Sequence, residues 1–135
     1  MSAANYTPNL IATENILPFS CIRATVGVNF GVKPNETTAA PVLGVTDGSV
    51  SQFDATYHST EGQPCSLQLG RFVLLRASGT IAQGDLLYPT TSGAVVAWNG
   101  ETLFINMSFV SMQAASNGEI FWASRIGGYY TLFND

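Results

Sequence analysis

The segment Asp54-Ala55-Thr56-Tyr57-His58-Ser59-Thr60-Glu61 joins the one histidine of the chain to two carboxylates and a hydroxyl. Asp54, His58 and Glu61 are donors of the kind that hold a divalent metal. Ser59, given a histidine base and a carboxylate to orient it, has the makings of a nucleophile. The spacing would set the three donors on one helical face, but Thr56, Thr60, Gly62 and Pro64 disfavour a helix. A nucleophile, base and orienter also act only where a scaffold makes them meet, so the segment reads as a polar loop. Cys21 and Cys65 lie far apart and neither belongs to a Cys-x-x-Cys pair, which leaves two buried thiols or a disulfide open and supports zinc poorly. There is no Gly-x-Ser-x-Gly elbow, no phosphate-cradling glycine loop with a lysine and no His-Glu-x-x-His. Two carboxylates would suffice for glycoside hydrolysis, but a polysaccharide cleft generally needs a larger scaffold. The expectation is a protein with no catalytic residue, no metal and no cofactor.

Composition points to assembly. The charged fraction is 10% and the apolar fraction 46%, whereas an average soluble domain is about 25% charged. A solitary monomer covers itself with more charge than this, so part of the exterior is expected to lie against other chains. Net charge is −4, and the five cations, Arg23, Lys33, Arg71, Arg76 and Arg125, are scattered along the sequence. No basic stripe exists to neutralise phosphates, and nucleic acid is not an expected partner. A membrane is not expected either: no apolar run reaches transmembrane length. The N-terminus lacks a basic region followed by an apolar run, so the expectation is a protein made and used in a cytoplasm. The Asn-x-Ser/Thr triplets at Asn5, Asn35 and Asn106 then read as chance matches.

The elements that must position these residues are strands. From Cys65 to Trp98, strand and turn signals alternate without a gap. Ser66-Leu67-Gln68-Leu69 alternates polar and apolar, and Phe72-Val73-Leu74-Leu75 has the length of a buried strand. Gly70 separates them, and the apolar phase passes there from Leu67 and Leu69 to Phe72 and Leu74, as a bulge or sharp bend would require. Ala77 to Thr80 and Thr90 to Gly93 read as turns, and Ala94 to Trp98 as the next strand. Gly84-Asp85 forms a tight reversal, in which Asp can accept hydrogen bonds from nearby amides. Upstream, Val26, Val28, Phe30 and Val32 alternate on one face of a strand that starts near Cys21, and Lys33 to Thr38 reads as a loop. Pro41 to Val45 is a short strand, Asp47-Gly48 a hairpin turn, and Val50 to Phe53 a continuation. Downstream, Leu103, Ile105, Met107 and Phe109 alternate, and Glu119 to Ile126 pairs back as an antiparallel hairpin through Ser116-Asn117-Gly118. Turns recur throughout and almost nothing reads as a helix. The predicted class is all-β: a small antiparallel barrel or sandwich, β-tulip or jelly-roll-like.

Gly70-Arg71-Phe72-Val73-Leu74, Ile81-x-x-Gly84-Asp85-x-Leu87-Tyr88, Ser92-Gly93-x-Val95 and the upstream Leu43-Gly44-Val45-Thr46 resemble the core of the small β-rich capsid decoration (cement) proteins of tailed bacteriophages, over roughly Pro41 to Ile126. The resemblance implies a structural protein without catalysis, bound to the outside of an icosahedral head. Its partners would be the major capsid protein and its own copies, commonly as a homotrimer. The alternative is a head-fibre or carbohydrate-binding module, with Trp98, Trp122, Tyr129 and Tyr130 stacking on sugars, although large aromatics at strand positions more often belong to the core.

Three regions are expected: an extended N-terminal arm over residues 1–18, a β domain over 19–126 and an aromatic tail over 127–135. The arm offers Tyr6, Leu10, Ile11, Ile16 and Leu17 for contact with a neighbouring subunit or the capsid, or packs on its own domain. The tail offers Tyr129, Tyr130, Leu132 and Phe133, either as a docking segment or as the last strand of the core. Gly70, Gly84 and Asp85 are the expected structural turns.

Overall fold

The structure, a computed structural model, describes residues 9–36, 40–99, 104–105, 109–126 and 130–131. It is all-β, built from two five-stranded sheets. The first contains β1 (Leu10–Ala12), β2 (Cys21–Ala24), β3 (Gly31–Pro34), β4 (Gly44–Val45) and β5 (Pro64–Cys65), in the order β4-β2-β3-β1-β5. The second contains β6 (Phe72–Arg76), β7 (Leu86–Pro89), β8 (Val95–Ala97), β10 (Phe109–Ser111) and β11 (Ile120–Arg125), in the order β6-β11-β10-β7-β8. Between β8 and β10 the chain forms β9 (Phe104–Ile105), which pairs with β12 (Tyr130–Thr131) in a separate ribbon. Among the described residues no helix is long and apolar enough to cross a membrane.

The main core lies where the sheets face each other. Cys21 and Val45 of the first sheet join Val73, Leu75, Leu87, Val95, Phe109, Phe121 and Ala123 of the second in one buried cluster. Ala12, Ile16, Ile22 and Val32 form a second cluster, against which Leu10, Cys65 and Leu67 pack. Successive residues of β2 thus serve different cores: Cys21 points to one and Ile22 to the other, as the period-two pleat demands.

Several turns form as their residues predict. Gly70, Gly84 and Gly118 take positive φ. At Gly84-Asp85 the Asp85 carboxylate accepts a hydrogen bond from the Ala82 amide at 2.8 Å. The hairpin of β10 and β11 is antiparallel, with Phe109 opposite Arg125.

Other expectations are settled or corrected. Of the two placements open for the N-terminal arm, residues 10–16 take the one on their own domain: β1 runs parallel to β3 and antiparallel to β5, and Ile16 bridges Ser59. That parallel pair also departs from a purely antiparallel sheet; it is possible because β2 supplies the crossover from β1 to β3. The long strand read through Val26, Val28 and Phe30 is two strands and a connecting loop. The Thr25 amide closes that loop by donating to the Gly31 carbonyl at 2.8 Å, with Gly27 and Phe30 at positive φ. Lys33 and Pro34, read as loop, end β3. Val50 to Phe53 forms no strand, and Leu67 makes only an isolated bridge to Thr46. In β6 the core side is Val73 and Leu75, while Phe72 is exposed, so the apolar phase is the opposite of that expected.

Candidate functional site

Around His58 the fold collects a carboxylate, two hydroxyls and an imidazole. Asp47 and Ser49 come from the turn after β4, His58 from the loop before β5, and Ser66 from just after it. His58 is buried. Its Nε2 accepts the Ser66 amide hydrogen bond at 3.1 Å, so Nδ1 carries the proton and donates to the Ser49 carbonyl at 2.8 Å. Asp47 Oδ1 lies 3.4 Å from Nδ1 and accepts from the Ser49 hydroxyl and amide. Partial burial pushes the Asp47 carboxyl up. Hydrogen bonds from Ser49 and Ser66, with His58 nearby, outweigh it and hold the group below the ordinary carboxylate value.

These residue types could make a catalytic triad, but this arrangement does not. The Nε2 lone pair that a general base would use is occupied by a backbone amide, and the serine hydroxyl donates directly to the carboxylate. The residues predicted as donors are not brought together. Asp54 accepts from the Thr56 amide in its own turn, Glu61 is exposed, and the Ser59 hydroxyl donates to the Gln63 and Pro64 carbonyls. Among the described residues no group of three His, Cys, Asp or Glu side chains could hold a metal ion. The constellation ties the loop over residues 47–66 to the first sheet. Cys21 and Cys65 are free thiols, Cys21 fully buried in the main core, where desolvation pushes it up to about 12, and Cys65 half-buried and also raised by burial.

The outer face of the second sheet is the stronger candidate for function. Trp122 lies opposite Leu74 and Ser124 opposite Phe72 across β11 and β6. With Val73, Leu75, Phe121 and Ala123 taken by the core, the alternate positions point outward, leaving Phe72 53%, Trp122 44%, Ile120 42% and Met112 43% exposed. Phe72, Met112 and Trp122 line a shallow hollow of about 310 Å³ whose walls are wholly apolar. Such a face suits another protein surface better than a sugar, whose hydroxyls need polar partners. The adjoining edge is closed: the Gln68 side chain donates to the Leu74 carbonyl at 2.7 Å and accepts from its amide at 2.8 Å. Arg125 holds that loop through the Gly70 and Gln68 carbonyls. Strand addition at Leu74 is therefore closed off, and it is the face that stays open.

The contact residues read from the sequence fall in three groups. Leu10 and Ile11 are half-buried in β1, Ile16 is fully buried and Leu17 half-buried; Ile16 is thus core rather than a contact, because the chain from residue 10 is part of the first sheet. Tyr130 lies in β12, paired with Ile105. Tyr6, Tyr129, Leu132 and Phe133 lie outside the described residues. The exposed face was missed because Phe72 to Leu75 is apolar at every position, so periodicity could not say which pair turned outward. Trp122, read as core, is exposed for a related reason: its neighbours Phe121 and Ala123 fill the inner side.

No family model matches the sequence, and no curated protein matches it. Among solved structures the chain is similar to the N base of the head fibre gp8.5 of bacteriophage phi29. The TM-score is 0.64 and the identity 11%, over 93% of this chain and 97% of that one. At that identity the likeness establishes a shared fold.

Proposed function

We propose that this chain is a structural protein of a bacteriophage head, carried on the outer surface of the shell. In this reading it is a homotrimer that bridges neighbouring copies of the major capsid protein and stabilises the shell, with neither nucleic acid nor membrane as partner. It acts without catalysis and joins the virion in the host cytoplasm. The observation that carries the reading is the end-to-end fold likeness to a head-fibre base. The apolar face of Phe72, Ile120, Trp122 and Met112 supplies a seating surface of the required chemistry. If each subunit buried about 800 Å² on the shell, as ordinary interfaces do, linking three would raise the effective concentration of each remaining contact. Individually weak contacts would then give durable attachment.

The test is light scattering on the purified protein, followed by co-sedimentation with heads of the same phage that lack it. A trimer that pellets with the heads and raises their rupture temperature is the expected result. A monomer that stays in the supernatant would refute the reading. The kind of neighbour also favours a second reading, the base of a head fibre. Such a base would pellet with heads while leaving their rupture temperature unchanged.

A further inference from the structure

Two of the chain's five cations are set directly against each other: Arg23 of β2 and Lys33 of β3 are cross-strand partners. Like charges in that position repel. Lys33 has a partial answer in Glu14, 3.9 Å away and largely exposed. Arg23 has none. Among the described residues it makes no ion pair, and its Nε is buried with no hydrogen-bond partner. A buried guanidinium nitrogen without an acceptor costs free energy, and a carboxylate at the accessible part of the side chain would offset the unpaired charge.

The surroundings of Arg23 narrow the occupant further. It opens onto a groove of about 310 Å³ bordered by Val26, Pro41, Val42 and Leu43. Val26 is 88% and Leu43 50% exposed, apolar side chains beside a cation that lacks a counter-ion among the described residues. The groove lies on the first sheet, away from the Trp122 face of the second. We propose that it is a docking site for a protein segment of another molecule, one that presents a single carboxylate between apolar side chains. The carboxylate would accept from Arg23, with Lys33 reinforcing the local positive field, while its apolar neighbours cover Val26 and Leu43. Charge complementarity selects this occupant: an uncharged apolar segment would cover the half-buried Arg23 and leave its charge without a counter-ion. The inference stands apart from the head reading, since it uses only this groove and a test without heads.

That test uses the full-length ¹⁵N-labelled protein and two blocked peptides, Ala-Val-Asp-Val-Ala and its isostere with Asn for Asp. The Arg23 Nε–H resonance reports the site directly. The Asp peptide is expected to move it saturably, together with the amides of Val26 and Leu43, and added salt to weaken the effect. The Asn peptide should bind at least tenfold more weakly. Arg23→Gln should lose binding to a similar degree with unchanged circular dichroism, and Lys33→Gln by a smaller factor. Equal binding of both peptides, or no movement of the Arg23 resonance at the solubility limit, overturns the proposal. Movement on raising the protein concentration alone would assign the groove to a second copy and overturn it equally.

Discussion

Replacing Gly93 with alanine tests how the two sheets are joined. Gly93 ends the short 3-10 turn Thr91–Gly93 between β7 and β8. It is buried with φ at +80°, and a Cβ there would sit 2.6 Å from the Cys21 carbonyl oxygen and 2.9 Å from Ser20 Cβ. Two costs follow. Holding an L-residue in the left-handed region takes about 1–2 kcal/mol. Forcing a methyl against packed backbone, which has little freedom to retreat, takes about 1–3 kcal/mol more. The expected loss is about 2–5 kcal/mol out of a total stability of about 5–15 kcal/mol, or a fall in Tm of about 7–18 °C for a chain of this size. Gly118→Ala is the matched control: its φ is +85° but nothing lies within 4 Å of the new Cβ, so only the conformational cost of about 1–2 kcal/mol applies. Urea unfolding and thermal scans on both variants give the comparison. Equal destabilisation of the two would refute the close approach of the turn to β2. The same seam is bridged by Arg76, which donates to the Pro18 and Ser92 carbonyls and to the Ser20 hydroxyl.

Three further outcomes are expected. Trp122→Ser should leave the unfolding midpoint within a few degrees of the parent, since the indole is 44% exposed, yet reduce co-sedimentation with heads at least tenfold if that face is the seat; unchanged binding would remove the face from the proposal. Cys21 should resist a thiol reagent in the native protein and react on unfolding, with Cys65 intermediate. Because burial lifts the Cys21 thiol from 9.0 to about 12, its contribution to stability should be complete below pH 9.0 and decline as pH rises towards 12; a Cys21→Ala variant lacking that decline checks the sign. Asp47 is shifted the other way, so its contribution is present above the ordinary carboxylate value and lost as pH falls through its lowered one. Asp47→Asn should therefore be less stable than the parent at neutral pH, with the difference closing in acid, as urea midpoints across that range would report.

The local chemistry was legible without coordinates wherever one residue decides its own conformation. Gly70, Gly84 and Gly118 were readable as turns because the reversal depends on a glycine at that position. Asp85 was readable because its acceptor bonds an amide three residues away. The all-β class followed from the recurrence of such turns. The site was less legible. Asp47, Ser49, His58 and Ser66 meet only because the turn after β4 and the flanks of β5 fold onto one another, and that meeting explains why a segment that looked chemically able commits its histidine to backbone hydrogen bonds.

What only the tertiary structure decided is which apolar residues face inward. Along Phe72 to Leu75 every position is apolar, so the sequence is consistent with either face; burial of Val73 and Leu75 by Cys21 and Val45 across the core selects one and leaves Phe72 and Trp122 outside. The loop from Val26 to Phe30 imitates a strand because alternation is a local property, whereas the positive φ of Gly27 and Phe30 belongs to a loop closed by Thr25 and Gly31. Arg23 is one of five scattered cations in the sequence, and only the pairing of β2 with β3 sets it opposite Lys33. Sequence alone determined the class of fold, since turn and strand preferences act over a few residues. The functional surfaces had to wait for pairing, because a face or a groove is made of residues that the chain brings together from a distance.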